Sequence, residues 1–175
     1  MSGSKKTYYW DTCIFLAWIK NETRSPEEMA GIKNLIEKLD GDDIRIVTSV
    51  ATIMEITRSQ LDELQEQQFL KAMKNRNITI HSIDKKVAEL SREIRNFYIL
   101  QNAGIGKLSI GDSIHLATAL IYNVDRMYTF DGGTTSRCNN RNLKLIPLSP
   151  NVAGHHLIIE APKHRDIFSS GTSRP

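Results

Sequence analysis

Short apolar runs of strand length alternate along this chain with longer segments in which apolar residues recur at helical spacing. The runs at residues 8–10, 44–47, 78–80, 127–129 and 143–146 are rich in β-branched and aromatic side chains, which favour strands. Strands separated by helices are typical of a parallel sheet whose crossover helices cover both faces. The sequence therefore predicts an α/β fold with a mostly parallel sheet of about five strands flanked by helices.

Two of the predicted helices begin with capping signals. Ser25 precedes Pro26 and is followed three residues later by Glu28, which is the pattern of a capping box. Ser109 has Asp112 three residues after it, and a carboxylate in the first turn favours the helix dipole. We expect a helix to start after each serine.

Length and composition indicate one globular domain. The 175 residues are 40% hydrophobic and 25% charged, which suits a single domain with its own core. We expect this domain to span residues 1–150 and a C-terminal extension to span residues 151–175. The end of the extension is Ser/Gly-rich and without apolar periodicity, so it is expected to be disordered.

The apolar runs and the cysteines bear on the protein's surroundings. The longest apolar runs fall short of the ~20 residues that span a bilayer, and the chain does not open with a charged-then-apolar signal segment. A cytoplasmic protein without a membrane partner is expected. Cys13 and Cys138 lack clustered partners and are expected to be free thiols. The formal net charge of +3 permits an anionic partner.

Four acidic residues lie at the ends of four apolar segments, namely Asp11, Glu55, Asp112 and Asp131. In an open parallel sheet, ligands bind beyond the carboxyl ends of the strands, so side chains distant in sequence converge there. Carboxylates are the ligands preferred by Mg²⁺ and Mn²⁺. The pattern predicts one shared metal site that holds Mg²⁺ or Mn²⁺.

Each acid also has a purely structural interpretation. Asp112 fits a capping residue, and Asp131 before two glycines fits a turn, so structure is favoured for each of these taken alone. Glu55 is surrounded by apolar positions that leave little solvated face, and Asp11 lies between apolar segments, where an unpartnered carboxylate is costly. Function is favoured for that second pair. His115 is expected to be a packed or hydrogen-bonded histidine and is left outside the predicted site.

Four segments together resemble the PIN-domain family of metal-dependent ribonucleases, in particular the VapC-type toxins of toxin–antitoxin pairs. The resemblance spans about residues 8–148 and rests on Tyr9-Trp10-Asp11-Thr12, on residues 49–55 with their trailing acid, on residues 111–119 and on Thr129-Phe130-Asp131. It implies a PIN-like three-layer fold and hydrolytic endonucleolytic cleavage of RNA. It further implies that the four acids are catalytic and bind the metal, with a supporting hydroxyl added by Thr12 or Thr129.

The resemblance also implies partners. An antitoxin protein is expected, as is a homodimer with the second and fourth helices as candidate faces. Lys107, Arg137 and Arg141 lie near the two late acids in sequence, where they would either bind RNA phosphates or form a solvated rim.

Two other functions stay open. One is a PIN fold that binds RNA or protein with little cleavage, and the other is a metal-dependent phosphoesterase that acts on DNA.

Overall fold

The computed structural model describes residues 5–100, 108–130 and 157–163, with the backbone alone for residues 97–100. Its strands are β1 Lys6–Trp10, β2 Ile44–Ser49, β3 Ile78–His81, β4 Arg126–Tyr128 and β5 Ile159–Glu160. Its α-helices are α1 Thr12–Ile19, α2 Pro26–Asp40, α3 Val50–Glu55, α4 Glu63–Met73, α5 Lys85–Leu100 and α6 Ile110–Ile121.

The strands form one sheet in the order β3-β2-β1-β4-β5, and every neighbouring pair is parallel. This confirms the predicted α/β fold. The chain builds the sheet outward from β1, first to one side through β2 and β3 and then to the other through β4. The reversal places a crevice at the carboxyl ends of β1 and β4, where open α/β sheets bind ligands.

Two apolar cores lie on opposite faces of the sheet, because successive strand residues point to opposite faces. Tyr9 and Val47 pack with residues of α5 and α6, including Ile94 and Leu116. Trp10 and Ile46 pack in the second core with residues of α1, α2 and α4, such as Phe15, Leu35 and Phe69. Tyr9 and Trp10 are fully buried, one in each core.

Both predicted helix caps are present. Ser25 accepts a hydrogen bond from the Glu28 amide, and the Glu28 side chain accepts one from the Ser25 amide. Ser109 accepts from the Asp112 amide at 3.0 Å. Helices α2 and α6 thus begin where the sequence predicted. In the described residues, no helix is both long and apolar enough to cross a membrane.

The fifth strand of the described sheet lies in a segment where the sequence predicted none. The predicted strand at residues 143–146 lies outside the described residues, and β5 comes from the segment expected to be a C-terminal extension. Glu160 of β5 forms an ion pair with Arg126 of β4 at 2.5 Å. Next to it, the backbone of Pro162 passes so close to Gly31 that only a glycine fits there without displacement.

Candidate metal centre

Asp11 lies at the crevice, immediately after β1, and is 4% exposed. It caps α1, with Oδ1 accepting from the Thr12 amide at 2.7 Å. Its other oxygen, Oδ2, accepts from the Thr129 hydroxyl at 2.7 Å. The Asp11 amide donates to the carbonyl of Tyr128 at 3.1 Å. Groups from both sides of the chain reversal therefore hold this carboxylate in one orientation.

Glu55 is the last residue of α3 and reaches the same crevice from the side of β2. The Thr12 hydroxyl donates a short hydrogen bond to its Oε2, and His115 Nε2 lies 3.0 Å from the same oxygen. Both hydrogen bonds within the described part of the chain go to Oε2. The second oxygen, Oε1, lies against Gly111 in the first turn of α6.

The expectation that Glu55 has little solvated face is wrong. Its side chain is 37% exposed, and its neighbours Ile53 and Met54 are 45% and 72% exposed. The reason is that α3 has only six residues and covers the sheet with Ala51 and Thr52 alone. Glu55 reaches the crevice because it ends a short helix at the sheet edge.

His115 lies inside the acidic cluster, although the sequence interpretation left it outside. It is hydrogen-bonded, as predicted, with Nδ1 2.6 Å from the Tyr9 hydroxyl. Its Nε2 lies 3.0 Å from Glu55 Oε2 and 3.4 Å from Asp11 Oδ1. The ring is 1% exposed. The signal in the sequence was its position one turn after Asp112, which places both residues on the same face of α6.

The electrostatics of the cluster reflect close packing of opposite charges. Burial lowers the pKa of His115, but the carboxylates of Asp11 and Glu55 outweigh burial and raise it. Burial raises the pKa of Glu55, but hydrogen bonds from His115 and Thr12 and the His115 charge outweigh it and lower the pKa. Burial and the Asp11 charge raise the pKa of Tyr9, so its hydroxyl stays protonated.

The structure accounts differently for the other predicted site residues. Asp112 lies in the first turn of α6, where Ser109 Oγ donates to its Oδ2 at 2.5 Å, and its charge helps to raise the pKa of His115. Thr12 and Thr129 bind the cluster's carboxylates, as described above. The remaining predicted residues, Asp131, Lys107, Arg137 and Arg141, lie outside the described residues.

Cys13 lies beside the cluster and is half-buried, whereas Cys138 lies outside the described residues. The Cys13 sulfur is 3.4 Å from the Thr129 hydroxyl and accepts a hydrogen bond from the Phe130 amide at 3.2 Å. The thiol thereby ties the end of β4 to the start of α1, next to Asp11.

The donor atoms of the cluster fit a divalent cation. Asp11, Glu55 and His115 each offer one ligand atom, and these atoms all lie within 4.8 Å of one another. Neighbouring ligands of an octahedral ion with bonds of about 2.1 Å are separated by roughly 3.0 Å. The separations of 3.0 and 3.4 Å from His115 Nε2 to the two carboxylates are close to that value. The three side chains could therefore hold a metal ion.

Two solved structures are similar to this chain in fold. A crystal structure of VapBC2 from Rickettsia felis bound to a DNA fragment from the promoter is similar, with a TM-score of 0.53, 16% identity, and coverage of 70% of this chain and 86% of that chain. The structure of Mycobacterium tuberculosis VapC20, a sarcin-ricin loop cleaving toxin, has a TM-score of 0.52 and 14% identity, covering 71% of this chain and 90% of that chain. At such identities the likeness shows the fold alone.

Sequence comparison assigns the family. Comparison with curated proteins gave no match. The family model described as PIN domain matches residues 8–137, which is most of the chain and includes Asp11, Glu55 and His115. Strands β2, β3 and β4, the crevice at the chain reversal and the acidic cluster lie within the matched residues, whereas β5 lies beyond them. The chain therefore belongs to the PIN-domain family.

Proposed function

We propose that this protein is a metal-dependent endoribonuclease that hydrolyses RNA phosphodiester bonds. The observation that carries the proposal is the convergence of Asp11, Glu55 and His115, from three different elements, in the crevice where the sheet's chain order reverses. Carboxylates gathered at such a position suit a divalent cation rather than a packing role. Family membership supports the same conclusion.

Asp11 and Glu55 would hold the ion, with Asp112 and Asp131 as proposed further ligands. A divalent cation supplies charge neutralisation at the phosphate and lowers the pKa of a water molecule. Asp11 is fixed by hydrogen bonds to both of its oxygens and provides a rigid ligand. The Glu55 side chain is partly exposed, so its carboxylate would accept a hydrogen bond from the attacking water and orient it.

The toxin role is a further part of the proposal. It is supported by the similarity in fold to VapC20 and to the VapBC2 complex. An antitoxin is the corresponding partner. A homodimer is also proposed, and the exposed apolar side chains Leu64 and Leu70 of α4, 77% and 48% exposed, would lie at its contact.

The test is cleavage of a structured RNA pool by the purified protein with Mn²⁺, with Mg²⁺ or with chelator. The Asp11→Asn variant is expected to lose metal-dependent cleavage. Asp42→Asn is the matched control, because Asp42 pairs with Lys5 on the surface, and asparagine tolerates its positive φ of 61°. Cleavage of a matched DNA substrate in preference to RNA would indicate the alternative function, a DNA phosphoesterase. Equal cleavage by wild type and Asp11→Asn would contradict the proposal.

One observation favours a second function, that of a binding module. An apolar groove of 520 Å³ lies between α1 and α2, lined by Trp18, Met29, Ile32 and Ile36 among others. A protein segment could bind there without any use of the acidic cluster. The Asp11→Asn variant discriminates, because a binding module would keep its RNA or protein affinity, or gain RNA affinity through reduced repulsion.

A further inference from the structure

The acidic cluster contains an imidazole nitrogen, that of His115, between its two carboxylates. His115 Nε2 is almost completely buried, and it points at Asp11 Oδ1 and Glu55 Oε2 from 3.4 and 3.0 Å. These separations are those of neighbouring ligands around one ion, since bonds of about 2.1 Å at right angles put ligand atoms roughly 3.0 Å apart. The imidazole therefore lies where a third ligand would lie.

The partner of the other ring nitrogen allows His115 to act as a ligand without moving. A carboxylate only accepts, so the contact with Glu55 requires a proton on Nε2, and Nδ1 of a neutral ring then accepts from the Tyr9 hydroxyl. A tyrosine hydroxyl both donates and accepts. The ring can therefore take the other tautomer, in which Nδ1–H donates to Tyr9 and the Nε2 lone pair faces the two carboxylates.

We propose that His115 Nε2 is a ligand of the metal ion held by Asp11 and Glu55, and that this nitrogen makes the site select a transition-metal ion such as Mn²⁺ over Mg²⁺. Mg²⁺ prefers oxygen ligands and keeps its waters, whereas imidazole nitrogen suits transition metals. The Tyr9 hydroxyl is the outer hydrogen-bond partner that fixes the ring. This inference deepens the proposed function, because it names the metal that the same site takes.

The first test is pulsed electron paramagnetic resonance of Mn²⁺ bound to the wild-type protein in a nitrogen-free buffer. A directly bound imidazole gives a nitrogen hyperfine coupling, which a purely structural histidine does not. We expect this coupling in the wild type and in a His81→Gln control, and its loss in His115→Gln. Tyr9→Phe should retain it, because that change removes the hydrogen-bond partner but leaves the ligand nitrogen.

The second test is competition between Mn²⁺ and Mg²⁺, with circular dichroism to verify the fold of each variant. We expect His115→Gln to weaken Mn²⁺ binding about tenfold or more and Mg²⁺ binding much less. A wild-type Mn²⁺ spectrum with oxygen ligands alone would overturn the proposal, and this result needs no variant. An unchanged preference for Mn²⁺ in folded His115→Gln would overturn it as well.

The outcomes for the ligand and for the nuclease are separable. RNA cleavage together with an oxygen-only Mn²⁺ spectrum would overturn the His115 ligand and leave the proposed nuclease standing. Nitrogen coupling without cleavage of any RNA would support the ligand and count against the nuclease.

Discussion

Oε1 of Glu55 packs against the bare Cα of Gly111, in the space that a side chain at position 111 would fill. A Cβ built on Gly111 would overlap this oxygen, and the next nearest atoms are the Glu55 Cδ at 3.3 Å and the Ser109 Oγ at 3.8 Å. The first turn of α6 and the end of α3 can thus approach each other only because residue 111 lacks a side chain. The glycine sets how close Glu55 stands to the N-terminus of α6.

Gly111→Ala is therefore expected to weaken metal binding without a large loss of stability. Alanine in a helix is favoured over glycine by about 1 kcal/mol, so the free energy of unfolding should not fall greatly. The new methyl group must displace the Glu55 carboxylate, and Mn²⁺ affinity should fall about tenfold or more. Calorimetric Mn²⁺ titration and urea unfolding measure the two effects. Gly41→Ala is the control, since Gly41 has an ordinary φ of −72° and lies at the end of α2.

Ser109 and Ser25 cap different helices, and this offers a matched pair. Each Ser→Ala change should lower the free energy of unfolding by about 1 kcal/mol, because each removes an N-cap hydrogen bond. Ser109 also donates to Asp112 Oδ2 at 2.5 Å, whereas Ser25 bonds only within the start of α2. Only Ser109→Ala should weaken Mn²⁺ binding as well. Equal Mn²⁺ affinities in the two variants would show that Asp112 does not contribute to the site.

Gly31→Ala should destabilise the protein, although Gly31 is inside a helix. At an exposed helical position, replacing glycine by alanine would raise the free energy of unfolding by about 1 kcal/mol. Here the Cβ would lie 2.5 Å from the Pro162 carbonyl carbon and 2.7 Å from the Lys163 nitrogen. Forcing these backbones apart should cost about 1–3 kcal/mol in urea unfolding. Lys38→Ala, an exposed site on the same helix, is the control and should change stability by less than about 0.5 kcal/mol.

The stack of His81 on Tyr122 predicts a pH dependence of stability. The rings are 3.3 Å apart at 12°, and burial lowers the pKa of His81. The unfolded chain, in which the pKa is about 6.5, then binds more protons than the native state just below that pH. The free energy of unfolding should therefore rise as pH increases toward about 6.5 and level off above it. In His81→Phe, which keeps the stack, this part of the rise should vanish in urea unfolding curves; an identical pH profile would contradict the assignment.

The elements that sequence analysis predicted are those set by local physics. The capping pattern at Ser25 and the helical spacing after it depend on residues within a few positions of each other. Asp11 was found because a carboxylate between two apolar segments is costly without a partner. Such signals are complete within a short window of sequence.

The features that were missed depend on contacts between distant residues. Tyr9 and His115 are 106 positions apart, and sequence spacing does not show that they meet. Strand β5 has two residues, too few to show a period of two. The exposure of Met54 follows from the shortness of α3. The sequence does not show it, because an apolar residue type does not by itself determine whether the side chain is buried. In each case the tertiary arrangement decides the outcome.

The reversal of chain order at β1 also determines when the crevice can exist. Asp11 and Thr129, whose side chains meet there, are 118 residues apart. A ribosome that adds about 5–20 residues per second needs roughly 6–24 s to make that stretch. Throughout this interval the nascent chain holds β1 without its β4 neighbour. Translation, rather than the intrinsic speed of folding, therefore sets the earliest moment at which the two walls of the crevice can close around an ion.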